Sequence, residues 1–213
     1  MDRNDTDGGE EKTIILSDKW AVKRRLAELN LPLKGLLHVV NIALHEGRTA
    51  TPYHCANAAG TFAYHYGTWA LRNEFVGNKW AVDRTNGVEA IWDKAEKVRV
   101  VFANVDVACD RDRLPRPRSP KGLGSELVCT GNLFGDLPHF APRKAKGEGT
   151  YYLMVDPDGA CELSMPVVKK GTFSSYIERI YLKGGSGFDG EKITLPDDND
   201  DAVEAFDPLV VRK

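Results

Sequence analysis

The chain has 213 residues, of which 42% are hydrophobic and 28% charged, so it is long enough and apolar enough to bury a core. Its formal net charge of −2 argues against a dedicated nucleic-acid-binding protein, although it does not exclude a local basic patch. The four cysteines form no CxxC pair and no signal peptide is recognisable, so we expect free thiols in a cytoplasmic protein without a structural metal site.

The distribution of charge and periodicity along the chain predicts one domain with a tail. Residues 1–12 are acidic and show no hydrophobic periodicity, which is typical of a disordered segment. Residues 13–213 are expected to form a single domain with a helical part over 13–77 and a strand-rich part over 78–213. A long insertion, 109–149, is rich in proline, glycine and arginine and interrupts the strand-rich part.

Two amphipathic helices are predicted near the start of the domain. Ser17 is the expected N-cap of a helix that runs from Asp18 to Leu29, before a proline. A second helix, from Leu33 to Glu46, has an apolar stripe, and Gly47 is placed to end it.

The third predicted helix, 52–76, begins at Thr51-Pro52, which combines an N-cap hydroxyl group with proline at the first helical position. The segment Thr49–Leu71 lacks Lys, Arg, Asp and Glu, but polar residues interrupt it too often for a membrane span, so we expect no membrane contact. The helix carries a stripe of small residues, which favours close packing, and a polar stripe. The small stripe is Ala56, Gly60, Ala63, Gly67 and Ala70, and the polar stripe is Asn57, Thr61, His65, Thr68 and Arg72.

From residue 79 onwards the hydrophobic pattern alternates, which predicts strands. Asn86-Gly87 and the turn at 156–159 are the strongest hairpin signals. The predicted strands are Trp80–Thr85, Val88–Trp92, Val98–Val107, Tyr151–Val155 and Ala160–Met165. The run Phe173–Leu182 fits either a strand or a helix, and its β-branched and aromatic residues favour a strand. We therefore predict an α+β fold in which an N-terminal three-helix segment packs on a mainly antiparallel β-sheet.

One candidate site combines the polar stripe with the end of the strand at 98–107. His65 is suited to act as a general base near neutral pH, and Arg72 could hold a phosphate or carboxylate group. Asp106 lies where this strand is expected to leave the sheet and shares a face with Asn104, so it is the candidate partner carboxylate. This catalytic hypothesis requires His65, Arg72 and Asp106 to converge in one cleft. The alternative is that the stripe serves structural hydrogen bonds only.

The second candidate site is the basic insertion. Prolines keep its first part extended, so its charges are spread along a line that suits a DNA or RNA phosphate backbone. The alternative is a solvated loop that pairs with acidic residues in 197–207. The candidate nucleic-acid-binding residues are Arg111, Arg113, Arg116, Arg118, Lys121, Arg143, Lys144 and Lys146.

These observations leave three hypotheses for function. The first is nucleic-acid association through the basic insertion, and the second is an enzyme or small-ligand-binding protein with its pocket at the polar stripe of helix 52–76. The third is an interaction subunit that docks on other protein subunits through its charged segments. No motif in the sequence identifies a cofactor.

Overall fold

The computed structural model describes residues 13–130 and 149–184, in which helices and strands both occur. Within these residues the strands form one seven-stranded sheet in the order β1-β7-β6-β5-β4-β3-β2. The elements are β1 (Ile14–Leu16), α1 (Lys19–Glu28), α2 (Leu33–Arg48), α3 (Ala58–Phe75), β2 (Trp80–Asp83), a 3₁₀ turn (Thr85–Gly87), β3 (Ala90–Asp93), β4 (Val98–Asn104), α4 (Leu123–Thr130), β5 (Gly149–Val155), β6 (Cys161–Lys169) and β7 (Thr172–Lys183).

The pairing of the strands overturns the predicted architecture, although the general α+β class is right. The sheet is mixed rather than mainly antiparallel, because β1 runs parallel to β7 and β4 runs parallel to β5. The N-terminal segment also contains a strand before its three helices, because β1 forms one edge of the sheet. A parallel pair needs a crossover connection rather than a hairpin. The segment predicted as an insertion is this connection between β4 and β5, and it contains a fourth helix, α4.

The sheet is buried on both faces at its central strands β4 and β5, and alternation along β4 separates the two cores. Val98, Val100 and Phe102 pack with apolar residues of α1, α2 and α3. Val101 and Ala103 point to the other face and pack in a second cluster that includes Val128 of α4. This double burial explains why β4 reads as an almost continuous apolar run.

The helix boundaries differ from the predictions at local capping signals. Asp18, not Ser17, caps α1, because its carboxylate accepts hydrogen bonds from the backbone N–H groups of Trp20 and Ala21. The third helix begins at Ala58 rather than at residue 52, since the N–H of Thr51 donates to the ring of His54 and forms a separate turn. No helix of the described residues is long and apolar enough to cross a membrane.

Candidate ligand-binding site

A cavity of about 420 Å³ lies beside the C-terminal end of β4. Ala90, the first residue of β3, pairs with Val101 of β4, so β4 continues for three residues beyond β3. The resulting notch is bordered by the first half of α3 and by the segment from Arg118 to the start of α4. The lining residues that carry the argument below are Asn57, Tyr64, Glu89, Asn104, Arg118, Lys121, Ser125 and Tyr152.

Small residues allow α3 to approach β4 closely at this notch. A Cβ atom on Gly67 would lie 2.5 Å from the ring of Phe102, so the helix and strand could not keep this distance with a larger residue. Nearer the cavity, Asn104 donates from Nδ2 to the carbonyl oxygen of Gly60 at 2.8 Å. The small stripe predicted from the sequence therefore contains positions at which α3 approaches β4 closely.

The charged side chains of the lining are unequally paired. Glu89 accepts a hydrogen bond from Arg72 of α3, and Nε of Arg84 lies 3.3 Å from its carboxylate. These two arginines hold the pKa of Glu89 below its usual range, with the Arg72 hydrogen bond as the largest cause. Across residues 13–130 and 149–184, no carboxylate forms an ion pair with Arg118 or Lys121. The cavity therefore has an excess of positive charge.

Lys121 is held in place by its backbone and surrounded by aromatic rings. Its N–H donates to the carbonyl oxygen of Gly171, in the turn between β6 and β7, at 2.8 Å. Its Nζ atom lies 5.7 Å from the ring centroids of both Tyr152 and Phe173, a distance at which the rings attract a cation. Burial lowers the pKa of the Lys121 amine, and the nearby Cys129 opposes this shift.

Two tyrosines provide uncharged polar groups within the cavity. Burial raises the pKa of Tyr152, and burial followed by the charge of Glu89 raises the pKa of Tyr64. Both phenols are therefore protonated at neutral pH and can donate hydrogen bonds. Their apolar rings and polar hydroxyl groups suit a ligand with both polar and apolar parts.

The three predicted catalytic residues are not part of this lining. His65 is exposed on α3 and makes an edge contact with Tyr64 at 5.8 Å between ring centroids. Arg72 is paired with Glu89, which itself lines the cavity, and exposed Asp106 accepts hydrogen bonds from backbone N–H groups of the loop that follows β4. Joint catalysis by these residues thus gains no support from the cavity and stays a prediction.

The polar stripe of α3 divides between different environments. Asn57 and Thr61 line the cavity, so part of the stripe faces a pocket. Thr68 is buried, and its hydroxyl group has no hydrogen-bond partner among the described residues. The polar stripe therefore lines the cavity at the start of α3, whereas further along the helix it points into the interior of the protein.

The described part of the basic segment is ordered along the sheet rather than extended into solvent. Val105 forms an isolated β-bridge with Pro117, and the hydroxyl group of Tyr176 donates to the carbonyl oxygen of Pro115 at 2.7 Å. These contacts fix the backbone between β4 and the cavity. As a result, exposed Arg118 and half-buried Lys121 line the cavity, whereas Arg116, which is also exposed, does not.

The other predicted nucleic-acid-binding residues are spread over the surface. Arg111 donates to the hydroxyl group of Ser17 at 2.9 Å, and Arg113 lies 4.0 Å from the carboxylate of Asp106. Arg143, Lys144 and Lys146 lie outside the described residues, as do the predicted tail 1–12 and the acidic residues of 197–207.

Sequence reasoning missed the aromatic part of this site. Tyr64 belongs to neither stripe of the third predicted helix, Tyr152 falls within a predicted strand, and Glu89 carries no motif. The partial signal was the pairing of polar Asn57 and Thr61 on one helix face. Comparisons with protein families, with curated proteins and with solved structures find no match for this chain.

Proposed function

We propose that this protein binds a small molecule with an anionic group, such as a phosphate or carboxylate, in the cavity beside β4. The observation that carries this proposal is the presence of Arg118 and Lys121 in the lining without a carboxylate partner among the described residues. Lys121 is half-buried, so its charged amine loses part of its hydration without gaining a counter-ion and is destabilised, whereas Arg118 is exposed and adds a second positive charge to the lining. A bound anion would supply that partner.

The dimensions and the neutral groups of the cavity support a small ligand. Its volume of about 420 Å³ falls within the range of roughly 300–1,000 Å³ that is usual for small-molecule sites. Hydrogen bonds can be formed by Asn57, Ser125 and the tyrosine hydroxyl groups. The apolar part of the wall is formed by Val101 and Phe102. A ligand with one anionic end and a less polar body matches this lining.

The proposal is tested with inorganic phosphate and pyrophosphate as probes, by calorimetric titration at low ionic strength. Arg118→Met should weaken binding by about tenfold or more, because it removes a charge-assisted contact worth at least ~1.5 kcal/mol. Arg116→Met is the matched control, since Arg116 belongs to the same segment but does not line the cavity. Absence of binding by the unsubstituted protein, or equal losses in the two variants, would overturn the proposal.

The same variants distinguish nucleic-acid association, which is the second candidate function. The exposed side chains of Arg111, Arg113 and Arg116 favour it, because a phosphate backbone could reach them from solvent. Binding of a nucleic acid should then fall in Arg116→Met and should weaken steeply as salt is added. Retention of short DNA and RNA on a filter, measured at two salt concentrations, gives the comparison.

A further inference from the structure

The amine of Lys121 is the most chemically distinctive group of the cavity. We propose that Lys121 forms a reversible imine with an aldehyde or ketone that carries an anionic group, with Arg118 holding that group. This inference rests on the proposed anion-binding function and names the class of ligand: a small phosphorylated or carboxylated carbonyl compound.

The surroundings of Lys121 favour a reactive amine over a structural cation. The side chain is half-buried in the cavity lining, and its neighbours are the rings of Tyr152 in β5 and Phe173 in β7. Cys129 in α4 is the titratable neighbour that acts on its pKa. Lysines that form imines are activated in this manner, by partial desolvation that leaves more of the amine uncharged.

The reaction needs no oxidant or reductant. The lone pair of the uncharged Nζ forms a bond to the carbonyl carbon while the carbonyl π electrons move to oxygen, and a proton passes from nitrogen to oxygen. The resulting hydroxyl group accepts a second proton and leaves as water while the nitrogen lone pair forms the C=N bond, and the remaining N–H proton of the iminium ion returns to the group that donated the second proton. Tyr152 and Ser125 line the cavity with hydroxyl groups that can donate the proton to the departing oxygen.

The test is reductive trapping with a matched pair of probes, glyceraldehyde 3-phosphate and glyceraldehyde. The full chain is incubated with each aldehyde near pH 7.5, reduced with borohydride and mapped by peptide mass spectrometry. With the phosphorylated probe, Lys121 should be modified about ten times more than exposed Lys79 and Lys94, because a charge-assisted contact of about 1.5 kcal/mol between the phosphate and Arg118 favours binding beside this amine. Removing the phosphate from the probe, adding excess inorganic phosphate or introducing Arg118→Met should each lower the modification of Lys121 but not that of Lys79.

The outcomes separate this inference from the function on which it rests. Phosphate binding without preferential modification of Lys121 overturns the imine alone. Equal modification of Lys121 by the two aldehydes shows a reactive amine but overturns the role of Arg118 and of the anionic group. Loss of both phosphate binding and modification overturns the imine and the anion-binding function together.

Discussion

Arg179 of β7 and Lys121 beside the cavity are both withdrawn from solvent, yet their electrostatic settings are opposite. Arg179 is fully buried and donates from Nε and Nη2 to the carboxylate of Glu162 at 2.9 and 2.7 Å. Lys121 has two aromatic rings near its amine and no ion pair with a described carboxylate. The difference indicates that the first cation belongs to the fold, whereas the second is available to a ligand.

The pair around Arg179 also determines where the crossover connection begins. Glu162 accepts a hydrogen bond from the backbone N–H of Cys109 at 2.6 Å, and Arg179 donates from Nη1 to the carbonyl oxygen of Asp110 at 2.8 Å. Cys109 has a φ of 56°, a conformation that non-glycine residues adopt infrequently, and these bonds hold it there. The buried pair thus anchors the chain that later supplies Arg118 and Lys121 to the cavity.

The largest effect is expected from Arg179→Met. This change leaves the carboxylate of Glu162 buried without its cation, so the free energy of unfolding should fall by about 3–5 kcal/mol. Urea unfolding measures the loss. The double variant Arg179→Met/Glu162→Met is the control and should recover part of the stability, because no isolated charge remains although the hydrogen bonds to the backbone of Cys109 and Asp110 are still lost. A loss below about 1 kcal/mol in the single variant would contradict the structural role assigned to this pair.

A smaller effect is expected from Tyr151→Phe, in the network on the helix-covered face. The phenol of Tyr151 donates to Glu178 at 2.6 Å and accepts from Arg25 at 3.0 Å, so its removal should cost about 1–3 kcal/mol. Tyr53→Phe is the matched control, because Tyr53 is fully exposed. Equal midpoints for the two variants in urea would mean that this network contributes little to stability.

The smallest effect is expected from Lys121→Met. Folding lowers the pKa of Lys121, so the folded state loses its proton more readily than the unfolded state does. The penalty for burying the charged amine is therefore fully present at neutral pH and decreases as the pH rises through the folded pKa. The variant should match or exceed the stability of the unsubstituted protein by up to ~1 kcal/mol at pH 7, and the gap should narrow at alkaline pH.

Urea unfolding of both proteins at pH 7 and at about pH 9.5 checks this prediction. An unperturbed lysine titrates near ~10.4, so the higher pH lies closer to the range in which the amine loses its proton. A loss of stability comparable to that of Arg179→Met would contradict the comparison. It would mean that Lys121, like Arg179, stabilises the fold and is not reserved for a ligand.

The elements that depend on local pattern were predicted well, and those that depend on distant pairing were not. The β-branched and aromatic run at 173–182 lies within β7, and the turn at 156–159 joins β5 to β6. The start of α3 was predicted wrongly from Thr51-Pro52. The hydroxyl and N–H groups of Thr51 form hydrogen bonds with the ring of His54, so Thr51 does not cap the helix. The parallel partner of β4 lies far along the chain, so no local pattern indicated it.

The cavity was predicted in fragments. Asn57, Thr61, Arg118 and Lys121 appeared in separate hypotheses, because α3 and the basic segment are distant in sequence and meet only across the notch beside β4. The sequence marks polar and charged residues individually, but it does not show which of them lack a partner. That property depends on the whole fold.

The parallel pairing of β4 with β5 has a consequence for the kinetics of folding. It joins Val98 to Gly149 and Asn104 to Val155, and chain closure over such a separation must lose entropy before the contacts form. The cavity has walls from α3, which precedes this loop, and from Tyr152, which follows it. Ligand binding should therefore return only with the slowest phase of refolding, which makes binding a direct measure of when the crossover closes.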